Sequence, residues 1–240
     1  MILSSIKGIL FDKDGTLVDF QATWFAIGDL LALQAAGGDR ARADALMEAA
    51  GYDFGKKCFK ADSVFAAGTN ADIVALWYPD AAAEDRRKMT IGFDRFTAEE
   101  GARQSVPLPG SQDAIARLHR LGFRLGVATN DSTGGAEKTL LALGVAQMFD
   151  AAYGYDAVAS PKPAPDAIYA FSDLTGLKPS EIAMVGDNRH DMEMARAGGV
   201  GVAIAVLSGT GTRETLAPMA DVVLDSIADL PGFLAARSVA

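Results

Sequence analysis

Two carboxylates with one residue between them, Asp12 and Asp14, follow a short apolar run in ILFDKDGTLVD. Like charges this close repel, and the repulsion asks for a cation or for a division of chemical labour. A hard divalent ion such as Mg2+ meets the first need, because it takes carboxylate and carbonyl oxygens, keeps several waters and binds substrate phosphate. The second is met if Asp12 attacks phosphorus while Asp14 protonates the leaving oxygen and later deprotonates a water. Three further stretches carry compatible groups. In GVATND, Thr129 offers a hydroxyl beside Asn130, and neighbouring backbone N–H groups can face a phosphate oxygen. In ASPKPAPDAIY, Lys162 stands among Pro161, Pro163 and Pro165, which disfavour helix and present the ammonium from a restricted loop. In IAMVGDNRHDMEMARAGG, Asp187 ends an apolar run and can reach a metal. Asp191, four residues on, can orient Lys162 or a metal ligand, and it can equally cap the helix that starts there. His190 reads as a loop or surface residue, because the carboxylates already supply a base.

These groups act together only if the fold gathers four distant stretches. Residues 6–11 have the apolar, β-branched character of a strand covered on both faces. From residue 111 helix and strand patterns alternate. Ala114, Ile115, Leu118 and Leu121 stripe a helix ending at Gly122, and further helices are predicted over 136–143, 166–176 and 192–197. Strands are predicted over 123–128, 149–152, 182–185, 201–206 and 222–224. This alternation predicts an α/β fold, a Rossmann-like parallel sheet core covered by helices. Ligands bind such sheets at the carboxyl ends of the strands, where Asp12, Asp14, Thr129, Asn130, Gly186 and Asp187 all fall. Residues 20–100 differ: alanine-rich helical patterns over 20–36, 39–50 with Asp39 as N-cap, 70–78 and 81–89 leave no convincing strand. The expected organisation is a core of residues 1–19 and 101–240, interrupted by an all-helical cap subdomain of residues 20–100 inserted in a loop.

Composition narrows the partners. The 240 residues carry 22 Lys and Arg against 31 Asp and Glu, a net charge of −9, with two histidines and one cysteine. A disulfide-stapled scaffold, a Cys-rich zinc module and a CxxC redox site are excluded. The acidic balance opposes nucleic-acid binding, although a metal and a lysine can reverse the field inside one pocket. No apolar run reaches the length of a membrane span, and the N-terminus lacks a signal-peptide pattern, so no membrane partner and a cytoplasmic location are expected.

In order along the chain, DKDGT with Leu17, Thr129, Lys162 in SPKPAPD, and GDNRHD followed by EMARAGG resemble the four motifs of the haloacid dehalogenase-like hydrolase superfamily. The likeness runs over residues 6–19 and 106–225 and is nearest to the phosphoglycolate phosphatase-like branch, whose helical cap follows the first motif. It implies a Mg2+-dependent phosphatase that hydrolyses a small phosphorylated metabolite through an aspartyl-phosphate, with phosphoglycolate as one candidate. By resemblance, Asp12 is the nucleophile, Asp14 the acid/base, Thr129 and Lys162 bind the phosphoryl group, and Asp12, Asp187 and the backbone carbonyl of Asp14 hold Mg2+. Asp191 supports the site, and Asn130 and Phe20 are expected at the substrate. In this cap class specificity groups come from the cap, so Trp24, Lys56, Lys57, Thr69 and Asn70 join Phe20 as candidates. Dehalogenases proper lack the second acid, which sets Asp14 on the phosphatase side. A β-phosphoglucomutase-like phosphotransferase remains an alternative, and a non-enzymatic phosphoacceptor domain would need neither Asp14 nor the insertion. Monomer and homodimer are both open.

Overall fold

Residues 5–236 are described by a computed structural model. Strand β1 (Gly8–Phe11) is followed by helices α1 (Phe20–Ala35) and α2 (Arg40–Ala49), short strands β2 (Tyr52–Asp53) and β3 (Cys58–Phe59), and helices α3 (Val64–Ala67), α4 (Asn70–Trp77) and α5 (Ala83–Gln104). Then come α6 (Ser111–Arg120), β4 (Arg124–Ala128), α7 (Thr133–Ala142), β5 (Ala151–Tyr153), α8 (Asp166–Thr175), β6 (Ile182–Gly186) and α9 (Arg189–Gly198). Strand β7 (Val202–Val206), α10 (Arg213–Leu216), β8 (Val222–Leu224) and α11 (Leu230–Ala236) complete the described chain.

Six strands form one parallel sheet in the order β5-β4-β1-β6-β7-β8. The chain builds outward from β1 to β4 and β5, then returns to the other side of β1 for β6, so the strand order reverses at β1. A crevice opens at the carboxyl end of such a switch point. Register sets its floor: Phe11 lies level with Val127 and Val185, which brings Asp12, Thr129 and Asp187 to one edge.

Side chains alternate across the sheet as a pleat requires. Ile9, Phe11, Leu125, Val127 and Val185 pack with Ile115 and Leu118 of α6 and Leu140 of α7 on one face. Leu10, Ala128, Met184 and Ala203 pack with Ile168 and Phe171 of α8 and Met192 of α9 on the other. Coverage on both faces explains why β1, β6 and β7 are buried at every residue and read as unbroken apolar runs.

The insertion between β1 and α6 has its own core, in which Ile27, Leu31, Met47, Tyr52, Phe59, Phe65, Trp77 and Phe93 meet. It is helical except for the β2–β3 ladder, two residues long on each side and therefore too short to leave an alternating pattern. Its turn holds Lys57 at φ 55°. Asp39 caps α2 as expected, accepting from the Arg42 N–H at 3.1 Å. Helix α5 extends far beyond the pattern at 81–89, crosses residue 100 without a break and packs along α7. Only Phe93, Thr97, Ala98 and Gly101 of its 22 residues are buried, so its apolar stripe is sparse. Among the described residues no helix is long and apolar enough to cross a membrane.

Asp39→Ala should lower stability by about 1 kcal/mol, the usual loss for an N-cap, while leaving turnover unchanged. Denaturant unfolding alongside an activity assay checks both parts.

Candidate active site

Asp12 is carried to the tip of β1, where its N–H donates to the Val185 carbonyl at 2.8 Å. Its Oδ1 accepts from Lys162 Nζ at 2.5 Å, and the same ammonium reaches Asp191 Oδ1 at 2.7 Å. The Lys162 side chain comes from 150 residues away and is buried. Asp191 sits in the first turn of α9, where its Oδ2 takes the Asn188 N–H at 3.0 Å in a capping box. Asn188 is thus the N-cap, and Asp191 is the first-turn acid of the box, with its other oxygen on the lysine. Asp187, just past β6, accepts from the Thr210 N–H at 2.8 Å.

Asp12, Asp187 and Asp191 each present an oxygen within 4.8 Å of the others, all three buried. Burial pushes the Asp12 carboxyl up to about 6, with Lys162 pulling it back and Asp191 and Asp14 pushing further. Burial followed by repulsion from Asp12 and Asp191 holds Asp187 well above the carboxylate range. Burial alone would lower Lys162, but Asp12 and Asp191 outweigh it and keep the ammonium charged. Three acids thus share one cation, and hard oxygen donors with surplus negative charge are what Mg2+ fits. Asp191 spends both oxygens on short bonds from Lys162 and the Asn188 N–H, whereas Asp12 Oδ2 and Asp187 Oδ1 take long bonds from the Thr16 hydroxyl, at 3.5 and 3.4 Å, and are the oxygens more open to an ion.

Glycines allow the close approach around Asp187. Gly15 turns at φ 85° with its Cα facing Asp187, and a Cβ at Gly209 would lie 1.9 Å from Asp187 Oδ2. Sequence reasoning missed this 208–210 loop. Its signal was a Gly-rich stretch directly after β7.

The Asp14 side chain stands apart from the cluster. Its Oδ2 lies 2.6 Å from Lys13 Nζ and its Oδ1 accepts from Trp24 Nε1 at 2.6 Å. Lys13 is buried and also meets Asp131 Oδ2 at 3.1 Å. Burial opposes its charge, but Asp14 and Asp131 hold it well above the usual lysine range. Neither Lys13 nor Asp131 was singled out from sequence. The available signal was their position: a lysine inside a buried strand-end motif must find carboxylate partners.

A cleft partly open to solvent lies over these groups. Thr129 lines it, and its Oγ1 accepts from the Asp131 N–H at 3.1 Å, which leaves the hydroxyl hydrogen free to donate. Asn130 donates through Nδ2 to the Ala67 carbonyl at 2.7 Å and to the Lys162 carbonyl at 3.1 Å, while its Oδ1 is buried without a partner. His190 borders the cleft too, and its Nδ1 lies 3.2 Å from the same Ala67 oxygen. The insertion contributes Phe20, Trp24, Phe65, Asn70 and Ile73 to the wall. Asn70 is fixed by Asp94 and Thr97, both at 2.9 Å. Thr69 is the N-cap of α4 and is occupied with Asp72. Lys56 and Lys57 lie on the exposed β2–β3 turn, away from the cleft wall.

Comparison with known proteins gives the family and the fold. A family model described as haloacid dehalogenase-like hydrolase matches residues 6–199. The phosphoglycolate phosphatase of Salmonella typhimurium is 30% identical over 240 residues, covering 95% of this chain and 92% of the relative. Among solved structures, a predicted phosphoglycolate phosphatase from Haemophilus somnus aligns at 22% identity and TM-score 0.72, over 95% of this chain and 98% of that one. CbbY from Rhodobacter sphaeroides, solved in complex with phosphate, aligns at 25% identity and TM-score 0.65, over 94% and 96% of the two chains.

The raised Asp12 carboxyl makes a linkage prediction. A carboxyl whose folded value exceeds its unfolded one keeps its proton longer in the native state, so its contribution is complete near pH 4 and is lost as pH rises through about 6. In chelator, Asp12→Asn should match the parent near pH 4 and exceed it by about 1–3 kcal/mol at pH 7.5. Thermal or denaturant unfolding across this range checks it, and a variant less stable at pH 7.5 would show that Lys162 fully compensates the charge.

Proposed function

This chain belongs to the haloacid dehalogenase-like hydrolase family, and from that membership we propose that it hydrolyses a small phosphate monoester through an aspartyl-phosphate on Asp12, with Mg2+ as its metal. The observation that carries the reading is the shared ammonium: Lys162 holds Oδ1 of Asp12 at 2.5 Å, while Oδ2 takes a long 3.5 Å hydrogen bond from the Thr16 hydroxyl and Asp12 lines the cleft, which supports Oδ2 as the nucleophile. Asp12, Asp187 and the backbone carbonyl of Asp14 would hold the ion, which when bound neutralises phosphoryl oxygens.

Lys162, the Thr129 hydroxyl and loop N–H groups take the remaining phosphoryl charge. Asp12 Oδ2 forms the new bond to phosphorus as the bond to the leaving oxygen breaks, and Asp14 gives that oxygen a proton. Asp14 then takes a proton from water, whose oxygen attacks phosphorus and releases phosphate and free Asp12. The wall from the insertion limits water access during the first step. Phosphoglycolate, the substrate in the names of the curated relatives, is the first ester to test.

Small phosphate esters, including phosphoglycolate and sugar phosphates, should release inorganic phosphate with Mg2+ and stop doing so in chelator. Asp12→Asn should lose at least about 10³-fold in kcat. Chelator-resistant turnover would remove the metal, undiminished Asp12→Asn activity would remove the nucleophile, and an isomerised sugar phosphate without free phosphate would point to a phosphotransferase.

A further inference from the structure

Asp12 and Asp14 are each served by a buried lysine, and each lysine is anchored by a second aspartate. Lys162 lies between Asp12 and Asp191. Lys13 lies between Asp14 and Asp131. The first arrangement belongs to the phosphoryl site. The second touches neither the acid cluster nor Lys162, yet it holds an ammonium that is 1% exposed. Taking such a charge out of water costs several kcal/mol unless good geometry repays it.

What this arrangement grips is the carboxylate of Asp14. Lys13 takes Oδ2 and the Trp24 indole N–H takes Oδ1, so both oxygens are fixed and the torsions of the side chain with them. A carboxylate offers about four lone-pair sites, and two donors leave the others to carry the proton that Asp14 gives to the leaving oxygen and later takes back from water. Each gripping group is itself held. Asp131 accepts the Ser132 N–H at 2.7 Å and lies against Gly135 of α7, where a Cβ would come within 2.5 Å of it. Trp24 packs on Phe65 at 6.3 Å between ring centres and against Gly101 of α5, and the Lys13 ammonium sits 5.1 Å from its own ring centre. A group that must give a proton to one oxygen and take one from another has to be placed to within about 0.5 Å.

Resting on the phosphatase reading above, we propose that Lys13 and Trp24 are positioning residues for Asp14, holding its carboxylate for both proton transfers. Lys13 does so from the core and Trp24 from the first helix of the insertion.

The test compares an alkyl phosphate, whose leaving oxygen needs a proton, with para-nitrophenyl phosphate, whose leaving group does not. Lys13→Met should lose about 10²-fold in kcat on the alkyl ester, with KM within about threefold of the parent. On the aryl ester it should release a burst of about one equivalent of nitrophenolate, then turn over slowly while the aspartyl-phosphate waits for an activated water. Trp24→Phe, which removes only the indole N–H, should show the same pattern with a loss of about tenfold. If Lys13→Met does not fold, pairing it with Asp131→Asn removes the stranded acid and keeps the comparison. Equal losses on both esters without a burst would mean a merely structural role and overturn the proposal, with the phosphatase reading intact. A parent inactive on every ester with Mg2+ would overturn both.

Discussion

Negative charge kept away from water at the end of β1 governs the rest of the site. Asp12, Asp187 and Asp191 converge there beside the Lys162 ammonium, and burial works against the charge on Asp12 and Asp187. Such a cluster persists only if the scaffold over-determines it. The register of β1 with β4 and β6 fixes the heights, the capping box of α9 fixes Asp191, and the Thr210 N–H with two glycines fixes Asp187. The strain this imposes is released by a cation or by protonation, so metal binding and stability are two aspects of one arrangement.

The parts legible in the sequence are those whose information is local or periodic. Asp12, Asp187 and Thr129 could be placed because each follows an apolar run, and parallel sheets put such ends on one edge. The prolines around Lys162 marked a restricted loop, and its assignment to the site came from the resemblance of the four motifs. Asp39 announced its helix. Less was legible where partners lie far apart: nothing in the spacing of Lys13, Trp24 and Asp131 states that they meet, since α1 and the β4–α7 loop are joined only by tertiary packing. Helix α5 was underestimated because it buries few residues and faces solvent with paired charges such as Arg87–Glu84 and Arg103–Glu100. The β2–β3 ladder has two residues on each strand, fewer than any alternation needs.

The insertion is therefore more than a cover. Its first helix delivers Phe20 and Trp24 to the cleft, and its last helix returns to the core beside α7. Tyr155, in the loop after β5, donates to Asp94 of α5 at 2.6 Å, and Asp94 in turn holds Asn70 over the cleft. Side chains that line the cleft are thus tied to the sheet through α5 as well as through the short link after Asp19.

One contact separates how the cleft is closed from what the cleft admits. Asn130, in the loop after β4, and His190, in the first turn of α9, both address the carbonyl oxygen of Ala67. Every amino acid carries that oxygen, so the latch recognises a place in the chain and is indifferent to the side chain displayed there. Residues 65–73 can then exchange aromatic, aliphatic and polar groups over the reacting centre while the same two core residues keep the lid in register. The contact itself thus places no demand on the chemistry of the insertion's inner surface.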